Sequence, residues 1–141
     1  MQYTKINSKT FVIRLDQGDE ILNSLTRVCT EQNIHCGSFH GLGAVNYVKI
    51  GLMDLKTKKY ISKKMTGPME IVNLVGNISV KDSAVYLHAH IAICDKSMQV
   101  FGGHLNEGMI SLTGEIFVTK FKGDMQRKFD DQIGLNILDF E

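Results

Sequence analysis

Only one stretch of this chain carries helical periodicity. Between Glu20 and Gln32 the apolar residues Ile21, Leu22, Leu25, Val28 and Cys29 recur every three or four positions, which predicts an amphipathic helix with one face toward a core. Asp16 or Asp19, in the turn "DQGDE" just before it, is the expected N-cap. Apolar residues elsewhere alternate with a period of two. Phe11, Ile13 and Leu15 do so in "TFVIRL", and the pattern returns in "MEIVNLVGNISV", "AVYLHAHIAIC" and "MISLTGEIFVTKF". One helix cannot cover that much strand surface. The chain is therefore expected to be α+β: one main helix packed on a curved, mostly antiparallel sheet of about seven strands.

The connections are short. "DLKTKK" predicts a hairpin, "KDS" and "DKSM" predict turns, and Gly67-Pro68 is expected to punctuate the chain before "MEIVNLVGNISV". Gly41 and Gly43 mark a bulge or close backbone contact within residues 34–54. The tail, 122–141, is polar except for "LNILDF", which predicts a short last strand. With 141 residues, no repeat and no linker, the expectation is a single domain, 1–141.

Composition narrows the function classes. Sixteen basic and fifteen acidic residues leave a formal charge of +1. That balance argues against a strong phosphate-binding surface, which depends on clustered Lys and Arg. The one basic run, "KTKKYISKK", falls in the predicted hairpin and reads as a solvated tip. Cys29, Cys36 and Cys94 are an odd set without a CxxC pair, which predicts a reducing, cytoplasmic setting. No apolar run approaches the ~18 residues of a membrane span, and the N-terminal segment does not read as a signal peptide.

The most informative stretch is "YLHAHIAICDKSMQVFGGHLNEG", residues 86–108, which holds three of the five histidines. On a strand His88 and His90 share a face, ~6.6 Å apart, while Val85, Leu87, Ala89, Ile91 and Ile93 form the opposite, core face. A turn at "DKSM" folds the following segment back beside His90. Gly102-Gly103 then permits close backbone approach and aims His104 toward the other two rings. Three neutral imidazoles suit zinc or a similar divalent ion and leave positions open for water or ligand. Structural, hydrogen-bonded histidines are the competing reading. Cys94 shares their parity but lies ~13 Å from His90 along the strand, too far to be a fourth ligand. His35 is expected just past the helix, and His40 in packing.

Glu70 and Glu115 are the strand-interior carboxylates, hence the candidate general bases or partners of the ligand rings. No phosphate-cradling loop or nucleophile elbow occurs, and "GLGAV" is not a dinucleotide fingerprint.

Five segments, "RLDQGDEILNSL", "FHGLGAVNYVKIGLMD", "EIVNLVGNIS", "LHAHIAICD" and "VFGGHLNEGMI", stand in an order and at distances that resemble the plants-and-prokaryotes-conserved (PPC) domain. That domain also occurs in plant AT-hook nuclear-localised proteins. The likeness runs from about Lys9 to Phe121. It implies a homotrimer, and in the stand-alone prokaryotic members a metal site on the histidines that correspond to His88, His90 and His104. Those members are commonly labelled predicted DNA-binding proteins. The plant Arg-Gly-Arg-Pro arm has no counterpart here, where "GPMEIV" keeps Glu70 but no arginine.

The leading expectation is thus a metal-binding homotrimer that acts as a small-molecule-binding or regulatory module. The alternatives are a DNA-binding regulator and a zinc-dependent hydrolase or cupin-like metalloenzyme. The cupin pattern lacks its glutamate, with Ile93 and Cys94 at the corresponding place. Near-neutral charge and the missing arm predict weak, sequence-independent binding to duplex DNA. A mobility-shift titration at physiological salt tests this; sub-micromolar, sequence-dependent binding contradicts it.

Overall fold

In the computed structural model of the protein, which describes residues 1–140, the expected helix forms from Ile21–Glu31 (α1). Ile21, Leu25, Val28 and Cys29 are fully buried. The N-cap is Glu20, not Asp16 or Asp19: its carboxylate accepts the Asn23 N–H at 2.6 Å. Asp19 is occupied in the preceding turn, where it accepts the Asp16 N–H at 2.8 Å. Glu20 also accepts the Gly108 N–H at 3.0 Å, so one side chain caps the helix and ties it to the sheet.

The α+β expectation holds, with eight strands among the described residues rather than about seven. They are β1 (Gln2–Lys5), β2 (Thr10–Asp16), β3 (Gly37–Asp54), β4 (Lys59–Lys81), β5 (Ala84–Cys94), β6 (Val100–Lys120), β7 (Gln126–Asp130) and β8 (Leu135–Asp139). Pairing is antiparallel except where β7 meets β4 at Val80 and Gln126. The polar tail is not irregular. It forms the β7–β8 hairpin, in which Arg127 pairs with Leu138 and Phe129 with Asn136.

The central strands form a ring. β3 pairs with both β4 and β6, and β5 also pairs with both β4 and β6. The circuit β3–β4–β5–β6 therefore closes on itself and separates an inner from an outer face. Leu74, Ile78, Ile91, Ile93, Leu105 and Ile110 fill the inside. α1 packs against β5 and β6, and its buried stripe joins the same core.

Gly67-Pro68 does not end a strand. Tyr47 pairs with Thr66 and Val45 with Met69, so Gly67 and Pro68 oppose the single residue Asn46 in a bulge, with Gly67 at φ +112°. A bulge tolerates proline because its missing N–H is not needed for the ladder. A second bulge at Val72, between Ile71 and Asn73, resets the strand parity. Beyond it Leu74 and Ile78 point inward, while Val75 is exposed on the outer side.

Adjacent residues of β5 thus serve opposite faces: Ile91 is 3% exposed in the core, and His90 lies on the outer side. In metal-free protein, Ile91→Ala should cost about 2–5 kcal/mol of folding stability. His90→Ala should change it by about 0.5 kcal/mol or less. Urea unfolding of both variants checks this; equal losses would contradict the two-face assignment.

Candidate metal centre

The outer face of β5 carries Tyr86, His88 and His90 in succession. Opposite them on β4 stand Ser79, Asn77 and Val75. The turn after β5 brings in the third ring. Asp95 builds it by accepting the N–H groups of Ser97 at 2.8 Å and Gln99 at 3.3 Å, with Met98 in the left-handed region at φ +63°. The resulting register pairs His90 with His104 directly, and His104 in turn pairs with Gly51 of β3. Space at this crossing is tight. A β-carbon on Gly103 would lie 2.9 Å from the Gly51 carbonyl oxygen, so the Gly-Gly pair is a packing requirement.

The three rings converge. Their centroids are 5.1 Å apart for His88–His90, 5.1 Å for His88–His104 and 5.7 Å for His90–His104. Their ligating nitrogens all lie within 4.8 Å of one another, in the one such group of potential ligands among the described residues. Nitrogens on a tetrahedral zinc stand roughly 3.4 Å apart, a difference that small ring rotations close. No ring has a hydrogen-bond partner among the described residues, which leaves the nitrogens free to ligate. The donor set fits a divalent ion of zinc's preference.

The rings open into a cavity of about 380 Å³. Leu52, Met53, Tyr60 and Tyr86 line it, together with Arg127, Leu135 and Asn136 from the C-terminal hairpin. The Tyr60 hydroxyl donates to Asn106 Oδ1 at 2.9 Å, and its ring meets the edge of His104. Burial is the main reason the His88 imidazole is held down to about 4 from its ordinary 6.5, with the charges of His104, Arg127 and His90 adding to it. His104 is lowered too, by burial first and then by His90. Both rings therefore favour the neutral form that binds metal.

The other candidates lie elsewhere. Neither Glu70 nor Glu115 reaches the cavity, which corrects their expected role beside the histidines. Glu70 precedes the Val72 bulge and pairs with Ala44 and Cys94. Glu115 is exposed on the far part of β6, between Arg14 and Leu42. Cys94 stays outside the histidine group, as its distance predicts. His35 meets Asp124 through Nδ1 at 3.1 Å, and His40 stacks on Phe117 with centroids 5.6 Å apart. Tyr86 was within reach of sequence reasoning because it shares the parity of His88. Arg127 was not, since nothing in a polar tail announces that it folds back over β5.

A family model, "Plants and Prokaryotes Conserved (PCC) domain", matches residues 3–122. The chain belongs to that family. Among solved structures it is similar to a protein from Bacteroides thetaiotaomicron described as a candidate DNA-binding protein. That likeness has 34% identity and a TM-score of 0.95, and covers 99% of this chain and 96% of that one. A metal-containing protein from Archaeoglobus fulgidus is 33% identical at a TM-score of 0.87, with 97% of each chain covered. A plant- and prokaryote-conserved protein from Pyrococcus horikoshii is 32% identical at a TM-score of 0.87, over 94% of this chain and 92% of that one. No curated protein sequence matches.

The depressed His88 value has a consequence for stability. Above pH 6.5 His88 is neutral whether the chain is folded or unfolded, and it adds no pH dependence. Between 6.5 and about 4 the unfolded chain takes up a proton that the folded one resists, so stability falls with pH. Metal-free wild type should melt at progressively lower temperature across that window, and His88→Gln should lose less. Calorimetric melting at several pH values checks this; identical slopes would refute it.

Proposed function

We propose that this PCC-domain protein is a cytoplasmic homotrimer that holds one divalent ion, zinc, on His88, His90 and His104 in each subunit. Its role is to present that ion to a small molecule in the adjoining cavity. The observation that carries the reading is the convergence of three imidazoles, their ligand nitrogens within 4.8 Å of one another, at the wall of a cavity of about 380 Å³. That size suits a small ligand. The similar Archaeoglobus fulgidus protein, described as metal-containing, supports it. Bound zinc would supply Lewis acidity and a lowered pKa for its water. The protein would supply orientation through the opposed β5 and β6 ladders, and the tyrosines and leucines would limit water around the ligand.

Trimer formation is supported by the outer face of the ring. Phe117, His40 and Val75 lie in one cross-strand row, and Leu42 and Leu112 are 57% and 71% exposed. An apolar outer row of this kind favours burial against another copy, and cyclic closure satisfies every copy at once. The three cysteines are all unpaired, in keeping with a reducing compartment.

No carboxylate among the described residues lines the cavity, which favours a binding or regulatory role over a hydrolase that needs a side-chain base. The second reading, a DNA-binding regulator, draws on the description of the Bacteroides thetaiotaomicron protein and on the exposed lysines of the β3–β4 hairpin. A net charge of +1 weighs against it.

The test is elemental analysis of untagged protein, collected at the mass that light scattering assigns to three 15.8 kDa chains. Wild type loaded with zinc should carry one ion per chain, and His90→Ala should carry none while eluting at the same mass. Equal metal in both, or none in wild type, refutes the metal site. A particle of one chain's mass refutes the trimer.

A further inference from the structure

Arg127 sits on β7, outside the family match at 3–122. It is nine-tenths buried and lines the same cavity as the three histidines. Its Nε donates to Ser79 Oγ at 2.8 Å, one terminal nitrogen to the Asn136 carbonyl at 2.7 Å and the other to Asn77 Oδ1 at 2.7 Å. Its guanidinium also lies over the Tyr86 ring, 4.9 Å from the centroid. Every one of these partners is neutral. No carboxylate pairs with Arg127 among the described residues. A guanidinium has five N–H donors. Three are used here, so two remain, one on each terminal nitrogen.

A buried cation without a counter-ion is costly, and structures that keep one generally use it. Asn77, which fixes one arm of the guanidinium, is the cross-strand partner of His88, and Arg127 and His88 line the same cavity. A divalent ion on the histidines would put a second positive charge in the same space. Arg127 opposes that ion unless an anion lies between them.

We propose that the cavity takes a small organic carboxylate, held between the metal on His88, His90 and His104 and the free N–H groups of Arg127. This rests on the metal reading above. The planar guanidinium, with one free N–H on each terminal nitrogen, suits a carboxylate, and Leu52, Met53 and Leu135 suit a short carbon chain. The tail hairpin is then a specificity element: it delivers the arginine that selects charge, while β5 and β6 deliver the metal.

The test titrates zinc-loaded wild type calorimetrically with malonate and succinate, with their neutral diamides, and with inorganic phosphate. Zinc content is measured before and after. At least one diacid should bind about tenfold or more tightly than its diamide. Arg127→Gln should lose about tenfold in diacid affinity with zinc content unchanged, and Arg127→Lys should recover part of it. The acid–amide comparison on wild type decides the matter if either variant folds poorly. Diamides that bind as well as diacids, an Arg127→Gln protein that binds like wild type, or binding of phosphate alone would each overturn the proposal. Zinc-loaded protein that ignores both diacids overturns this proposal only. Wild type that takes up no zinc overturns the metal reading as well.

Discussion

The closed circuit of backbone hydrogen bonds through β3, β4, β5 and β6 governs the rest of the molecule. A ring of strands has two unlike faces, and parity assigns each side chain to one of them. The inner face is filled by Leu74, Ile78, Ile91, Ile93 and Leu105. The outer face is then free to carry Tyr86, His88 and His90 without disturbing the core. The bulges at Gly67-Pro68 and Val72 keep this division intact along a strand of 23 residues. The single helix need only close what the ring leaves open, and Glu20 pins it there through Gly108.

Closure also sets the electrostatics of the outer face. His104 reaches His90 because β6 pairs with β5 on one edge and β3 on the other. The C-terminal hairpin lies over the same region and brings Arg127 in beside Asn77. The cluster is therefore partly withdrawn from water and rich in nitrogen. Withdrawal favours neutral imidazoles, and the fixed charge of Arg127 pushes His88 further that way. The result is a set of electron-pair donors beside a permanent cation. A solvent-facing sheet has no structural use for that combination.

Much of this was legible in the residue order. Helical spacing over 20–32 located α1, period-two alternation located the long strands, and the parity of His88 and His90 predicted their shared face. "DKSM" followed by Gly-Gly predicted the return of His104. What the order of residues misjudged were places where pairing overrides local preference. Gly67-Pro68 is a break by propensity but a bulge in context, because β3 and β4 pair on both sides of it. Glu70 and Glu115 are strand carboxylates by pattern, yet they end up away from the cavity. The Val72 bulge and the length of β6 decide where each one points.

The sequence by itself determined which face of β5 turns inward, that His88 and His90 share the other face, and that the chain can turn back to bring His104 beside them. Those properties follow from the two-residue period of an extended chain and from glycine's lack of a β-carbon, both local. Only the tertiary structure decided that the sheet closes, that Glu20 rather than an aspartate caps the helix, and that Arg127 joins the histidines. Each of these depends on contacts between segments far apart in the chain. Ser79, Asn77 and Asn136 aim Arg127, and no local pattern links 77–79 with 127. The three histidines were readable because they sit on paired strands with regular spacing. The cation beside them was not, because hydrogen bonds between distant segments hold it there.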